Sequence, residues 1–305
     1  MINVGILGGD NSLAGELLRI LVNHPDVVIR GICEPSLAEH DVTSVHHGLM
    51  GETSLKFCAE LDYGKLDVLF VTLPCGESRA VVPPVGIAPE LCVIDVNADF
   101  SEARAQDPLV VYGVPEINRK PLVRGARRVV IPSPAEVVAS IALMPLAVRS
   151  MLDGIVDVVV DTGRETQLRD SNDVAKYVGQ ALRLVSGDSD FDIHISVNSI
   201  NTDRCIELNT VIKSPIPIDN IIDIYEELYD DHNLTYVTAE NMDIKEVVGT
   251  DKCIVSLTKN SGGDLRIRAI ADSCLRGGAG DAVHVMNLLM GLYEKTGLSL
   301  KASMY

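Results

Sequence analysis

INVGILGGDNSLAGELLRILVNHPDVVIRGICE, running from Ile2 to Glu34, decides how this chain folds. Ile2–Leu7 and Val27–Ile32 are near-continuous apolar runs, the pattern of strands buried on both faces of a parallel sheet. Between them, Ala14 to Asn23 places Leu17, Leu18, Leu21 and Val22 on one side of a helix. His24-Pro25 ends that helix, because the residue before a proline avoids the helical region. Strand, helix and strand in about 30 residues make a βαβ unit.

The turn between strand and helix is rich in glycine: Gly5, Gly8, Gly9 and Gly15 fall within eleven residues. Glycines at a first βα turn let backbone approach a pyrophosphate, and the helix N-terminus adds positive potential. Gly8, Gly9, Asn11, Ser12 and Leu13 are therefore candidate dinucleotide contacts. A tight turn without a ligand is the alternative. Asn11 and Ala14 stand where closer approach favours glycine; asparagine tolerates left-handed backbone better than most residues, so the turn can survive. Glu34 closes the second strand, where a carboxylate bonds the adenosine ribose 2′-hydroxyl and repels a 2′-phosphate. It favours NAD over NADP, although a solvated loop carboxylate reads the same way.

Outward from this stretch, Val68–Leu73, Cys92–Val96, Val110–Val114 and Arg128–Ile131 continue the buried-strand pattern. After Asp153 the texture changes. In Phe191–Ile200, Ile193, Ile195 and Val197 alternate with Asp192, His194 and Ser196, so His194 is expected on an open strand face. Cys205–Ile212, Thr235–Ala239, Cys253–Leu257 and Leu265–Ile270 look similar, as in an antiparallel sheet with one wet face. Asp173–Leu184 and Asp281–Lys295 are expected as helices.

The 305 residues suggest two domains, and 47% hydrophobic content suffices for a sizeable core. Val137–Val148, the longest apolar stretch, is broken by Ser140 and Pro145 and falls short of the about 20 residues a bilayer needs. The N-terminus enters a strand at once, so a cytoplasmic protein is expected. A net charge of −17 disfavours nucleic acid and anionic membranes as partners. The seven cysteines are scattered without a C-x-x-C pair, and no metal site is expected.

Ser133-Pro134-Ala135-Glu136 reads as a capping box: Ser133 as N-cap, Pro134 as first helical residue, Glu136 reaching back. Glu136 as an acid/base group is the alternative.

Several segments together resemble the N-acetyl-gamma-glutamyl-phosphate reductase family, within the aspartate-semialdehyde dehydrogenase-like group. They are the opening stretch, LPCGES at Leu73–Ser78, VIDVNADF at Val93–Phe100, VYGVPEINR at Val111–Arg119, and DSCLRGGAGDAVHVMNLLMGLYEKTGL at Asp272–Leu298. The resemblance covers most of the chain. It implies an α/β fold: a Rossmann-type parallel-sheet domain, residues 1–133 with 276–305, and an inserted α+β catalytic and dimerisation domain on a mostly antiparallel sheet, residues 134–275. It also implies NAD or NADP as cofactor, a small-molecule metabolite as substrate, and a homodimer or homotetramer.

The family's chemistry uses a cysteine that attacks the acyl phosphate and a histidine in an H-R-H-x-P-E segment. Against the family's N-P-G-C-Y-P-T, this chain writes Ile131-Pro132-Ser133-Pro134-Ala135-Glu136-Val137, so Pro134 stands at the cysteine position. No H-R-H-x-P-E occurs, and the segment between Gly163 and Phe191 is shorter than the family's. Cys75, in place of the histidine of an L-P-H-G segment near the nicotinamide, is the candidate relocated nucleophile, although nothing nearby in sequence lowers its pKa. The resemblance further implies Pro74, Gly76, Ser133 and Gly278 as cofactor contacts. It implies Glu116 near the reaction centre, Arg164 as a substrate-anion contact, and His46-His47 in a loop near the cofactor. Arg276-Gly277-Gly278 parallels a turn by the nicotinamide.

Three functions fit: direct hydride transfer to a ketone, imine or aldehyde; a non-catalytic partner of a biosynthetic enzyme; or semialdehyde oxidation with Cys75 as nucleophile.

Overall fold

Apolar residues on both faces commit the N-terminal strands to the middle of a sheet. The computed structural model describes residues 1–74, 77–78, 89–96, 108–163, 170–187 and 190–302. The chain divides into two compact units, Met1–Pro132 with Gly278–Ser299, and Ser133–Gly277 with the C-terminal residues from Leu300.

The first unit is built on β1 (Ile2–Leu7), β2 (Val27–Cys33), β3 (Phe57–Cys58), β4 (Val68–Val71), β5 (Cys92–Val96), β6 (Val111–Tyr112) and β7 (Arg128–Ile131). Their order is β3-β2-β1-β4-β5-β7-β6, and every pairing is parallel. The predicted βαβ unit is present, with α1 (Ser12–Leu21) between β1 and β2. Val4, Ile6, Leu17, Leu18 and all of β4 are buried. The chain runs outward from β1 to β3, then returns to β4 on the other side of β1. That reversal is a topological switch point, where sheets of this kind bind ligands beyond the strand C-termini. β3 has only two residues and no periodicity to announce it.

Two further helices belong to this unit, α2 (Pro115–Val123) and a late helix, Ala279–Leu289, which packs against α1 and α2. Arg119 of α2 donates to Glu294 Oε2 at 2.8 Å, and His284 Nε2 lies 2.9 Å from the same oxygen. Asn287 bonds His24 and the carbonyls of Glu294 and Thr296. These buried polar contacts tie the C-terminal turn to the sheet domain.

The second unit holds β8 (Gly154–Gly163), β9 (Phe191–Ile200), β10 (Ile206–Ile212), β11 (Thr235–Thr238), β12 (Cys253–Lys259) and β13 (Leu265–Ala271). Their order is β11-β12-β13-β10-β8-β9. The three inner pairings are antiparallel, and the outer two, β8 with β9 and β11 with β12, are parallel, so the sheet is mixed. The β8–β9 pair is parallel because α4 (Ser171–Arg183) crosses over between them. Burial alternates along β8 and β9 as the sequence pattern requires, and His194 is on the exposed face.

Against this sheet packs α3 (Pro134–Val148), buried on all sides from Pro134 to Ala147. Pro145 lacks the N–H that would bond the Ile141 carbonyl. The Tyr229 hydroxyl donates to that carbonyl at 2.5 Å, and the Tyr225 hydroxyl donates to the Ala142 carbonyl at 2.7 Å. Both tyrosines come from α5 (Ile218–Tyr229), which thereby replaces a bond the proline removes.

Candidate functional site: the glycine turn and its cleft

At the C-terminal end of β1, Gly8 takes φ +93° and donates its N–H to the Cys33 carbonyl at 3.1 Å. A Cβ there would meet Leu73 at 2.9 Å, so the turn needs glycine for conformation and for space. The turn keeps its shape with Asn11 extended (φ −101°, ψ 168°), and Gly8 alone of the turn's residues carries the positive φ. The asparagine serves through its side chain. Its Oδ1 accepts from the Ala14 N–H at 3.0 Å, capping α1. Its Nδ2 donates to the carbonyls of Gly8 and Thr72 at 3.1 and 3.0 Å. Thr72 Oγ1 in turn donates to Gly8 O and Leu7 O.

His46 closes the turn from outside. Its Nε2 lies 2.7 Å from the Gly9 carbonyl, which can only accept, so this nitrogen carries the proton. The ring leaves room for glycine only at position 15, where a Cβ would sit 2.7 Å from Nδ1. His47 points away, to the Thr43 carbonyl. Ser12 and Leu13 begin α1, where backbone N–H groups have no carbonyl within the helix.

Beside the turn opens a cleft of about 730 Å³. Gly8, Asn11, Glu34 and Pro74, all expected cofactor contacts, line it. Gly9, Ser12 and Leu13, also expected contacts, are not among its lining residues; Gly9 follows Gly8 in the turn, and Ser12 and Leu13 open α1. Glu34 Oε1 accepts from the Ser36 hydroxyl at 2.8 Å. The glycine spacing, the unbonded helix N–H groups and the carboxylate suit a dinucleotide's pyrophosphate and ribose. Sequence reading missed Asp10, Glu60, Tyr63 and Glu77, which also line the cleft. Asp10 was readable within the glycine run, whereas Glu60 and Tyr63 follow the two-residue β3, which carries no signal.

In the second unit, Ser133 is the N-cap of α3 and Pro134 its first residue. The Ser133 N–H donates to Glu136 Oε2 at 3.3 Å, the glutamate half of a capping-box arrangement, while the Ser133 hydroxyl makes no side-chain cap hydrogen bond. Glu136 is thus engaged with the helix end. Gly277, at φ +70°, lies on this helix start: a Cβ would be 2.5 Å from Pro134 N and Cα and 2.8 Å from Ser133 C. The turn carrying it is held by buried Asp272, which accepts from Arg204 Nε, Gly249 N and Cys274 N at 2.9, 2.7 and 2.9 Å. Arg276, fully buried, donates to Thr235 Oγ1 at 3.2 Å.

Glu116 is buried in the first turn of α2, and Gly278 is the N-cap of the Ala279–Leu289 helix. Cys75, Gly76 and Arg164 lie outside the described residues. Burial, with Cys58, Glu34 and Glu60 adding to it, pushes the Cys33 thiol in the cleft up to about 11. Burial also raises Cys58, and raises Cys205 to about 11. None of these three is poised as a nucleophile.

The chain is 32% identical to N-acetyl-gamma-glutamyl-phosphate reductase of Bacteroides thetaiotaomicron over 326 residues, with 100% of both chains covered. It is 34% identical to the enzyme of that name from Azobacteroides pseudotrichonymphae, again with 100% of both covered. The chain belongs to the N-acetyl-gamma-glutamyl-phosphate reductase family. Residues 3–124 match the family described as semialdehyde dehydrogenase, NAD binding domain, and the cofactor is NAD or NADP. Among solved structures, aspartate semialdehyde dehydrogenase with NADP from Candida albicans shares the fold at a TM-score of 0.74 and 12% identity, covering 95% of this chain and 98% of that one. Aspartate semialdehyde dehydrogenase II from Vibrio cholerae does so at 0.71 and 13%, covering 96% and 99%. Among the described residues, no helix is long and apolar enough to cross a membrane.

Proposed function

We propose that this chain is an NAD(P)-dependent oxidoreductase that passes hydride directly to a carbonyl or imine carbon of a small metabolite. It no longer reduces an acyl phosphate through a cysteine thioester. The observation that carries this reading is the start of α3. Pro134 has neither thiol nor N–H, Glu136 caps the helix, and the backbone of Gly277 lies against the proline. A thioester needs a thiol, and at this buried helix start, packed against Gly277, Pro134 offers none.

When bound, the dinucleotide supplies or accepts the hydride. The chain's own part is to hold it and to manage a proton. The glycine turn and the Ser12 and Leu13 N–H groups face the pyrophosphate, and Glu34 takes the ribose diol. Pro74, Gly76, Ser133 and Gly278 are further proposed contacts of the cofactor. Glu116 is proposed to give the proton to the substrate oxygen, since Glu136 is spent on the helix cap. Arg164 is proposed to hold a substrate anion. The protein works in the cytoplasm as a homodimer or homotetramer.

A second reading, a non-catalytic partner of a biosynthetic enzyme, is favoured by Asp10, whose carboxylate stands in the phosphate turn. Titration with NADH and NADPH separates the two: no binding of either near millimolar concentration ends the oxidoreductase reading. Turnover of N-acetylglutamyl phosphate that Cys75→Ser abolishes would instead establish the relocated thiol.

A further inference from the structure

The described residues lining the glycine-turn cleft include four acids, Asp10, Glu34, Glu60 and Glu77, and no lysine, arginine or histidine. Glu34 stands at the end of β2, next to Gly8, because the Gly8 N–H bonds the Cys33 carbonyl. The Ser36 hydroxyl occupies Oε1 of Glu34, and Oε2 is the remaining acceptor. Glu60 reaches the same place from the segment after β3, which pairs with β2 at Cys33 and Cys58. Both carboxylates are close enough to Cys33 to oppose its ionisation. The end of β2 therefore has two carboxylates beside its last thiol, both lining the cleft.

Resting on the reading that a dinucleotide binds here, we propose that Glu34 and Glu60 together select NAD(H) and exclude the 2′-phosphorylated cofactor. Glu34 Oε2 accepts from the ribose diol of NAD(H). A 2′-phosphate in that place brings a dianion against two carboxylates, with no cation among the described lining residues to offset it. The discrimination is expected at about a hundred-fold or more in Kd. Glu60 makes it a two-carboxylate device, so removing Glu34 alone does not convert the preference.

The test is titration of the full chain with NADH and with NADPH by calorimetry, in wild type, Glu34→Gln and the Glu34→Gln/Glu60→Gln pair. Melting curves check that each variant is folded. The expected result is NADH binding in wild type with NADPH weaker by about a hundred-fold. The gap should narrow partly in the single variant and by a further tenfold, roughly, in the double. Equal or tighter NADPH binding by wild type overturns the proposal. An unchanged gap in the double variant overturns the assignment to these residues. No binding of either nucleotide, to wild type or variants, removes the dinucleotide reading itself and the proposal with it.

Discussion

A Cβ on Gly277 would sit 2.5 Å from both the nitrogen and the Cα of Pro134. Glycine is needed there twice over, for its positive φ of +70° and for contact between backbones. Gly277→Ala is expected to lower stability by about 2–4 kcal/mol, adding backbone strain to overpacking. Urea unfolding measures it, and a loss below about 0.5 kcal/mol would mean the turn can move away.

The same contact bears on chemistry. Pro134→Cys puts the thiol back at the position where the family resemblance expects it, yet at a buried helix start packed against Gly277. The thiol is expected to resist iodoacetamide in the folded protein and to react after denaturation, as peptide mapping of position 134 would show. Rapid labelling of the native variant, or recovered turnover of N-acetylglutamyl phosphate, would contradict the closed geometry.

Tyr229 and Pro145 form a compensating pair across two helices of the second unit. Because Pro145 cannot donate to the Ile141 carbonyl, the Tyr229 hydroxyl does. Tyr229→Phe strands a buried acceptor and is expected to cost about 1–3 kcal/mol. In a Pro145→Ala background the restored N–H takes over that carbonyl, and the same substitution should cost about 1 kcal/mol less. Equal costs in the two backgrounds would sink the idea that one group stands in for the other.

What the sequence makes legible here follows from what is local. Ile2–Leu7 and Val27–Ile32 show the parallel sheet because burial on both faces leaves continuous apolar runs. Ser133 and Glu136 show the cap because a capping box spans three residues. The part Asn11 plays is not legible locally, because its side chain reaches the Thr72 carbonyl, 61 positions away. Gly277 against Pro134 is invisible for the same reason, since the two are distant in sequence. The parallel outer pairs of the second sheet were missed because alternation marks one wet face but not strand direction. The β8 run GIVDVVVDTG alternates clearly and was open to reading.

Asp95, in β5, gives the first unit a pH dependence. Burial pushes its carboxyl up from 3.8 to about 6, against the opposing hydrogen bond with Ser78. The folded state thus holds a proton more tightly than the unfolded chain does. The contribution of Asp95 to stability is fullest below pH 4, falls as pH rises from about 4 to about 6, and then levels. The loss at neutral pH is on the order of 3 kcal/mol. Asp95→Asn keeps the shape without the charge, so it should match wild type near pH 4 and exceed it by about that amount at pH 7. Melting temperatures from pH 4 to 7.5 that run parallel for the two proteins would remove the assignment.

Four carboxylates around the glycine-turn cleft also set how salt acts on cofactor binding. Phosphate sites lined with cations lose affinity as salt rises, because screening weakens attraction. Here Asp10, Glu34, Glu60 and Glu77 face an anionic ligand on a chain of net charge −17, so screening weakens repulsion instead. NADH is expected to bind more tightly at 0.2 M than at 0.02 M potassium chloride by about two- to five-fold. The slope should flatten in the Glu34→Gln/Glu60→Gln pair, where two of the four charges are gone. Calorimetric titration at the two ionic strengths reads both effects. A Kd that weakens with salt in wild type would show that cations, not these carboxylates, govern the approach of the dinucleotide.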